Sequence, residues 1–263
     1  MTTSPELDLQ ALGDRLYAAL RTATPIDPLT ASHPGLSIEQ AYGIQQRLNA
    51  RRLADGERVV GKKIGVTSQA VMAMLGVGQP DFGLLTDAML VHQGATIERG
   101  ALIQPKAEGE IAFLLKRDLQ GPGVGVADVL AATECVMPCF EIVDSRIRDW
   151  KIKIQDTVAD NASCGVFVLG SQAVSPLKVD LHTCGMVLEK NGEVVVTGAG
   201  AAALGSPLNA VAWLANTLGR LGMGLKAGEV ILSGALGAMV PALPGDQFRV
   251  SIGGLGDCSV RFA

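Results

Sequence analysis

The chain has 263 residues, of which 48% are hydrophobic and 18% charged, so it can bury a sizeable core and is too apolar for intrinsic disorder. Lysine and arginine number 22 against 26 aspartate and glutamate residues, which excludes a basic surface for nucleic acid. The N-terminus carries Glu6, Asp8 and Asp14 without an apolar signal core, so we expect no secretion signal. Five cysteines without a finger-like spacing favour reduced thiols and a cytoplasmic location over zinc binding.

Two helices are predicted near the N-terminus. Apolar residues recur at three- and four-residue spacing from Leu9 to Leu20, which indicates the first helix. The second lies in "SIEQAYGIQQRLNARRLADG", where Ser37 and Gln40 form a capping box and Gly56 follows the end. We therefore predict a helical N-terminal portion over residues 1–58.

The pattern changes after the second helix. "RVVGKKIGV" predicts a short strand, and "TSQAVMAMLG" predicts a capped helix closed by Gly76. Strands punctuated by glycine and proline then dominate, with the best core strands in "IAFLLKRDL" and "CFEIVDSRI". "MVLEKNGEVVVTG" predicts a hairpin, because its Asn191-Gly192 pair suits a type I′ turn. Two or three further strands follow in "GEVILSG" and "QFRVSIGGLGDCSVRFA".

A long uncharged run, residues 199–219, has the length of a membrane span. Gly205, Ser206 and Pro207 interrupt it, so we predict a loop and then a buried soluble helix with Ser206 as its N-cap. Because strands and helices do not alternate along the chain, we predict an α+β fold rather than a doubly wound sheet. Residues 59–263 would then form a mixed-strand core with one packed helix.

Two acidic residues interrupt the apolar strand in "QPKAEGEIAFLLKRDL". Side chains alternate along a strand, so Glu108 and Glu110 point to one face while Ile111 and Phe113 point to the other. The Cα atoms of the two glutamates would be ~7 Å apart, which lets both carboxylates reach one ion. The solvated edge of an amphipathic strand would explain the same pattern.

Glu141 weakens the explanation by a solvated edge. It lies between Phe140 and Ile142 in a second apolar strand, where an unpaired carboxylate would be strongly destabilising. Three carboxylates that converge in a core must take up protons or share a cation, and oxygen ligands favour Mg²⁺ or Mn²⁺ over zinc. We therefore predict an octahedral site with positions open to water or substrate. The alternative is an ion pair with one of three basic residues, Lys106, Arg146 or Arg148.

Other polar residues are candidates for catalysis or for substrate binding. In "GKKIGVTS", Lys62 and Lys63 alternate faces, so one can lie inside, near a cation, and act as an acid or base. A lysine on an exposed edge strand is the plainer interpretation. Asp81 in "GQPDFG" suits a simple turn as well as a catalytic role. "TVADNASCG" contains three loop formers that are also candidate substrate contacts, Asp160, Asn161 and Ser163.

Several of these stretches occur together in one enzyme family. The chain resembles the 2-hydroxypenta-2,4-dienoate (vinylpyruvate) hydratases of aromatic meta-cleavage pathways, in the fumarylacetoacetate hydrolase superfamily. The resemblance is carried by "GKKIGVTS", "LGVGQPDFG", "IQPKAEGEIAF", "FEIVDSRIRDW", "DTVADNASCG", "GAGAAALGSPLNAVAWLAN" and "ILSGALG". It extends over nearly the whole chain, from residue 9 to residue 263.

The resemblance implies a mixed β-roll core, a homo-oligomer and association with the decarboxylase of the same pathway. It implies five functional residues: the metal ligands Glu108, Glu110 and Glu141, and the acid–base groups Lys63 and Asp81. The reactive lysine of the family precedes an apolar residue and a glycine, which selects Lys63 over Lys62. The expected reaction is metal-dependent addition of water to 2-hydroxypenta-2,4-dienoate, through its 2-oxo-3-enoate tautomer, to give 4-hydroxy-2-oxopentanoate.

Two other functions stay open on the sequence. One is decarboxylation of 2-oxo-3-hexenedioate (4-oxalocrotonate), which would use the same metal site but needs a cationic contact for the second carboxylate. The other is a non-catalytic scaffold partner of that decarboxylase, although intact acidic and lysine residues argue against it. Carbon–carbon bond hydrolysis is disfavoured, because His33 in "TASHPG" does not match the catalytic histidine motif of the hydrolases in this superfamily.

Overall fold

A computed structural model describes residues 7–263 of the protein. The helices found there are α1 (Leu9–Thr22), α2 (Leu29–Ser32), α3 (Ile38–Ala54), α4 (Gln69–Leu75), α5 (Val126–Ala132), α6 (Ile154–Ala159) and α7 (Pro207–Arg220). The predicted capping box is present at the start of α3, where Gln40 N donates to Ser37 Oγ and Ser37 N donates to Gln40 Oε1. The two predicted N-terminal helices are therefore confirmed.

Thirteen strands follow the N-terminal helices within the same described range. They are β1 (Val59–Gly65), β2 (Asp81–Thr86), β3 (Leu90–Val91), β4 (Thr96–Ile97), β5 (Lys106–Leu115), β6 (Thr133–Val143), β7 (Cys164–Leu169), β8 (Gly185–Lys190), β9 (Glu193–Ala199), β10 (Val230–Leu232), β11 (Val240–Pro241), β12 (Gln247–Ile252) and β13 (Gly256–Phe262). The predicted hairpin joins β8 to β9, and Asn191 and Gly192 at its turn both have positive φ, as a type I′ turn requires.

The strands form two sheets. An eight-stranded, curled sheet has the order β2-β1-β10-β5-β6-β7-β3, with β11 paired to the start of β5, and a five-stranded sheet has the order β4-β13-β12-β8-β9. Both are mixed, because β1–β10, β3–β7 and β4–β13 are parallel while the long pairs such as β5–β6 are antiparallel. The predicted α+β fold is confirmed, and three short helices, α4 to α6, accompany the packed helix α7.

The main hydrophobic core involves one face of β5. Ile111 and Phe113 are fully buried in a cluster with Leu188, Phe248 and Val250 of the five-stranded sheet. Because side chains alternate along a strand, the even-numbered residues of β5 lie on the opposite face of the sheet. A smaller apolar cluster lies on that second face, and it includes Leu85, Ala112, Cys139, Phe167 and Leu232. The polar groups described below lie on this same face.

The N-terminal helices share a core with a later part of the chain. Leu16 on α1 and Ile44 and Leu48 on α3 are buried in one cluster with Ile147 and Val158. Full burial of one such side chain contributes about 1.5–3 kcal/mol relative to exposure. Helices α1 and α3 are thus packed against the segment that contains α6, and the division of the chain at residue 58 stays a prediction.

The uncharged run near residue 200 folds as predicted. It contains a short 3₁₀ turn, Gly200–Ala202, and then α7, whose first position is Pro207 and whose N-cap Ser206 accepts a hydrogen bond from Leu208 N. Among residues 7–263, no helix combines the length and the apolar character needed to cross a membrane. All five cysteines are free thiols.

Candidate active site

Three glutamates converge at the centre of the eight-stranded sheet. Glu108 and Glu110 lie on β5, and Glu141 on β6 is the direct register partner of Glu108. One carboxylate oxygen from each lies within 4.8 Å of the others. Glu110 and Glu141 are fully buried, and Glu108 is partly exposed. Since β5 is bordered by β10 and β6, the alternative of a solvated edge strand is wrong.

The electrostatics of the glutamates favour a neutralising partner. Burial, reinforced by the charge of Glu141, raises the pKa of Glu108 to about 7 and the pKa of Glu110 well above its ordinary range. Gly234 N donates to one oxygen of Glu110 at 2.8 Å, but the other oxygen of Glu110 and Glu141 Oε2 are buried without a polar partner. Glu141 Oε1 has the Lys63 ammonium group 3.1 Å away. Buried carboxylate oxygens normally have partners. This donor set therefore fits a hard, oxygen-preferring cation.

The three basic residues considered as ion-pair partners of the glutamates have other contacts. Lys106 Nζ lies 4.2 Å from the ring centroid of Trp150, Arg146 pairs with Asp160 at 2.5 Å, and Arg148 pairs with Asp27 at 3.2 Å. Within the described residues, the glutamates instead have one ion pair, from Lys63 Nζ to Glu141 Oε1 at 3.1 Å. The alternative that names Lys106, Arg146 or Arg148 is therefore wrong.

The two adjacent lysines of β1 have different environments. Lys62 forms an ion pair with Glu229 at 2.6 Å. Lys63 is buried beside the glutamates, and its Nζ also donates to Ala162 O at 2.8 Å. Burial alone would lower the pKa of Lys63, but the charges of Glu141 and Asp81 raise it above its ordinary value. Lys63 therefore places a buried ammonium group beside the carboxylate cluster.

Asp81 is the first residue of β2 and pairs with Gly65 at the end of β1. Its carboxylate is buried and neither oxygen has a hydrogen-bond partner. Burial raises the pKa of Asp81, with Lys63 opposing the rise and Glu141 adding to it. A Cβ atom at Gly65 would lie 2.3 Å from Asp81 Oδ1 and 3.0 Å from Lys63 Nζ, so both groups occupy the space above this glycine. Asp81 is thus a strand residue, and the turn interpretation is wrong.

The three predicted substrate contacts differ in their surroundings. Arg146 N and Nε donate to the two oxygens of Asp160. The Asn161 amide bonds to both backbone groups of Leu84. Of these three residues, Ser163 alone has a buried side-chain oxygen without a hydrogen-bond partner, its hydroxyl. A direct substrate contact stays a prediction for all three, and Ser163 has the atom that is free to make one.

Sequence reasoning missed Ser233. Its hydroxyl is fully buried without a hydrogen-bond partner, and the next residue, Gly234, donates its N–H to Glu110. The signal was the position of Ser233 in "ILSGALG", directly after the end of β10. Ser233, Ser163, Asp81, Glu110 and Glu141 supply nearly all of the buried side-chain oxygens that have no partner in the described chain.

A buried group of ionisable side chains with shifted pKa values is typical of an enzyme active site. The chain belongs to the fumarylacetoacetate hydrolase family, because the family described as fumarylacetoacetate (FAA) hydrolase C-terminal matches residues 61–263. It is 67% identical to a 2-hydroxypent-2,4-dienoate hydratase of Pseudomonas putida, over 82% of this chain and 97% of that protein. It is 59% identical to a 2-hydroxyhexa-2,4-dienoate hydratase of Comamonas testosteroni, over 97% of both chains.

A solved structure is similar over almost the whole chain. It is that of the 4-oxalocrotonate decarboxylase from Pseudomonas putida G7, complexed with magnesium and adipate. The two folds superpose with a TM-score of 0.95 and 41% sequence identity, and the match covers 99% of this chain and 100% of the decarboxylase. The N-terminal helices are therefore included in this similarity.

Proposed function

We propose that the protein is a hydro-lyase that adds water to 2-hydroxypenta-2,4-dienoate and forms 4-hydroxy-2-oxopentanoate in the catabolism of aromatic compounds. The identities of 67% and 59% to hydratases of such dienoates support this activity and substrate class. The observation that carries the proposal is the convergence of three carboxylates beside Lys63 and Asp81 in one buried site.

Glu108, Glu110 and Glu141 would hold a divalent cation, which we propose to be Mg²⁺ or Mn²⁺. Support comes from the unpartnered carboxylate oxygens and from the preference of these hard ions for oxygen ligands. A cation bound there would supply Lewis acidity and a template for the carboxylate and 2-oxygen of the substrate. The structural relative that contains magnesium is a related decarboxylase.

Lys63 and Asp81 would move the protons of the reaction. In the first step the 2-hydroxyl loses a proton and C5 gains one, which converts the dienol into a 2-oxo-3-enoate. In the second step water contributes a hydroxyl to C4 and a proton to C3. Lys63 is the protonated donor, and its charge stabilises negative charge that develops at the 2-oxygen. Asp81 is a carboxyl group with a raised pKa and free oxygens, so it can accept a proton.

The proposed function is tested with chelator-treated protein and 2-hydroxypenta-2,4-dienoate. The ultraviolet absorbance of the dienoate should fall when Mg²⁺ or Mn²⁺ is added, and chromatography should detect 4-hydroxy-2-oxopentanoate. Consumption of the dienoate without this product, or an equal rate in the presence of chelator, would overturn the proposal.

Decarboxylation of 4-oxalocrotonate is the second candidate, since the fold is that of a solved 4-oxalocrotonate decarboxylase. Incubation with 2-oxo-3-hexenedioate and Mg²⁺ separates the two activities, because only decarboxylation releases carbon dioxide. A non-catalytic scaffold would not need the buried charges at the site, which destabilise the fold unless they are paired or bind an ion. Absence of Mn²⁺ binding in a titration would favour that third function.

We further propose that the protein forms a homo-oligomer and associates with the decarboxylase of its pathway. The resemblance to the hydratase family supports both assemblies. Light scattering coupled to size-exclusion chromatography measures the mass of the protein alone and of its mixture with the decarboxylase. A monomer mass would overturn the first assembly, and separate elution would overturn the second.

A further inference from the structure

Helix α3 reaches the candidate active site through two buried amides. Gln45 Nε2 donates to the backbone oxygens of Phe82 and Val158, each at 2.9 Å. Asn49 Nδ2 donates to Asn161 Oδ1 at 3.1 Å. Gln45 and Asn49 are four residues apart and therefore lie on the same face of the helix. Helix α3 thus connects β2 to the segment that ends in the turn Asn161–Ser163. The family match begins only at residue 61, after this helix.

The turn Asn161–Ser163 has an unusual backbone. Asn161, Ala162 and Ser163 have φ values of 53°, 51° and 53°, and none of them is glycine. Residues with a Cβ atom are disfavoured in this left-handed region, so three in succession must be held by their surroundings. The turn packs closely on β2, because a Cβ atom at Gly83 would lie 2.5 Å from Asn161 O.

The Asn161 amide holds the turn against β2. Leu84 N donates to Asn161 Oδ1, and Asn161 Nδ2 donates to Leu84 O, both at 2.9 Å. This pair of hydrogen bonds orients the amide, because its oxygen must face the N–H group and its nitrogen the C=O group. Asn161 therefore presents an oxygen to α3, and Asn49 meets it with its amide NH₂ group.

The same turn, Asn161–Ser163, also positions Lys63. The Ala162 carbonyl accepts a hydrogen bond from Lys63 Nζ at 2.8 Å, and Glu141 Oε1 lies 3.1 Å from the same nitrogen. These two contacts set the direction of the ammonium group in the site. A shift of the turn would move the carbonyl and so redirect Lys63.

We propose that Asn49 is a positioning residue for the proton donor Lys63. It acts through Asn161, which holds the left-handed turn whose Ala162 carbonyl orients the ammonium group. Asn161 then acts by holding the backbone rather than by contacting substrate. The kinetic consequence rests on the proposed hydratase function. Helix α3, which precedes the matched family region, is on this view part of the catalytic scaffold.

The primary test is Asn49→Leu, which removes the donor and keeps a side chain of similar size. We expect kcat to fall by about 10-fold or more, because small misplacements of catalytic groups have effects of this order. KM and the affinity for Mn²⁺ should be unchanged. The matched control is Gln40→Ala, which removes one of the two capping-box hydrogen bonds of the same helix, from Ser37 N to Gln40 Oε1, and should lower the melting temperature with kcat unchanged.

A second variant, Asn49→Asp, adds a pH signature that a purely structural role would not produce. A protonated carboxyl group can donate to Asn161 Oδ1, whereas a carboxylate repels it. The kcat of this variant relative to the unmodified protein should therefore rise as the pH is lowered. A pH-independent ratio would contradict the proposal.

Amide hydrogen exchange over residues 160–164 gives a measurement that does not depend on turnover. Exchange should be faster in Asn49→Leu and unchanged in Gln40→Ala. Unaltered exchange in Asn49→Leu, unchanged kcat in that variant, or an equal loss of kcat in the control would overturn the proposal. If the unmodified protein does not hydrate the dienoate, the proposed function fails, while the exchange comparison still decides whether Asn49 holds the turn.

Discussion

Glu108 and Glu141 face each other directly across the antiparallel pair β5–β6. Side chains in such a pair have Cβ atoms about 4.5–5.5 Å apart, and like charges there are destabilising. Burial and the charge of Glu141 accordingly raise the pKa of Glu108 to about 7. The sheet therefore holds two carboxylates close together, and a proton or a cation would remove the repulsion between them.

Substitution of Glu141 should weaken cation binding in a protein that still folds. In Glu141→Gln we expect the Mn²⁺ affinity to fall more than about 100-fold, beyond the loss typical of residues that only support ligands. The metal-free variant should fold but melt at a lower temperature, because the buried Lys63 ammonium loses its ion-pair partner. Titration calorimetry and thermal denaturation measure the two effects. Glu134→Gln is the control, since Glu134 lies on the same strand and is exposed. Unchanged Mn²⁺ affinity in Glu141→Gln would contradict the proposed ligand set.

The raised pKa of Glu108 predicts how pH affects the metal-free protein. The pKa is about 7 in the folded state against an ordinary value of 4.5, so the folded state binds more protons between these values. Stability must then fall as the pH rises through this window. A bound cation displaces the protons, so the increase in melting temperature on adding Mn²⁺ should be larger at about pH 8 than at about pH 5. An equal increase at both values would show that no carboxylate with a raised pKa binds the ion.

Lys63 and Lys62 offer a matched pair of variants on one strand. Lys63→Ala should lower kcat by about 10²- to 10⁴-fold, the range typical of acid–base groups, while Mn²⁺ binding is retained. Lys62→Ala should keep kcat and lose stability, because it leaves the partly buried carboxylate of Glu229 without its partner. Steady-state kinetics and Mn²⁺ titration distinguish the two. Activity near that of the unmodified protein in Lys63→Ala would exclude Lys63 as the proton donor.

Local rules predicted only part of this site. Alternation along one strand is local, so it placed Glu108 and Glu110 on one face correctly. The residue opposite them depends on the register between β5 and β6, which is set by the packing of the whole sheet. Arg146 shows the limit of spacing arguments. It lies close to Glu141 in sequence, yet its guanidinium pairs with Asp160.

Asn49 carried no usable local signal, and the only signal at Ser233 was its position directly after a strand. An asparagine in an amphipathic helix has the pattern of many solvent-exposed residues, and a serine between a strand and a glycine resembles an ordinary turn residue. Only the folded chain shows that Asn49 is buried against Asn161 and that the Ser233 hydroxyl lacks a partner. Polar positioning groups are therefore the part of the site that sequence patterns predict least well.

Gly65 provides a test of how closely Asp81 and Lys63 must approach. A Cβ atom there would lie 2.3 Å from Asp81 Oδ1, which is closer than real Cβ contacts allow, so Gly65→Ala must displace this short, buried carboxylate. Since Gly65 does not have a positive φ, alanine adds no backbone strain at this position. We expect kcat to fall by about 100-fold, as for a catalytic group that is misplaced by about 1 Å. The variant should remain folded at the temperature of the assay, which thermal denaturation checks.

Gly78→Ala is the matched control for Gly65→Ala, because no atom would lie within 4 Å of its added Cβ and its backbone also lacks a positive φ. That variant should retain kcat. A crystal structure of Gly65→Ala should show Asp81 rotated away from Lys63. Full activity in Gly65→Ala would mean that Asp81 can move freely during turnover, and its role as a proton acceptor held beside Lys63 would then be excluded.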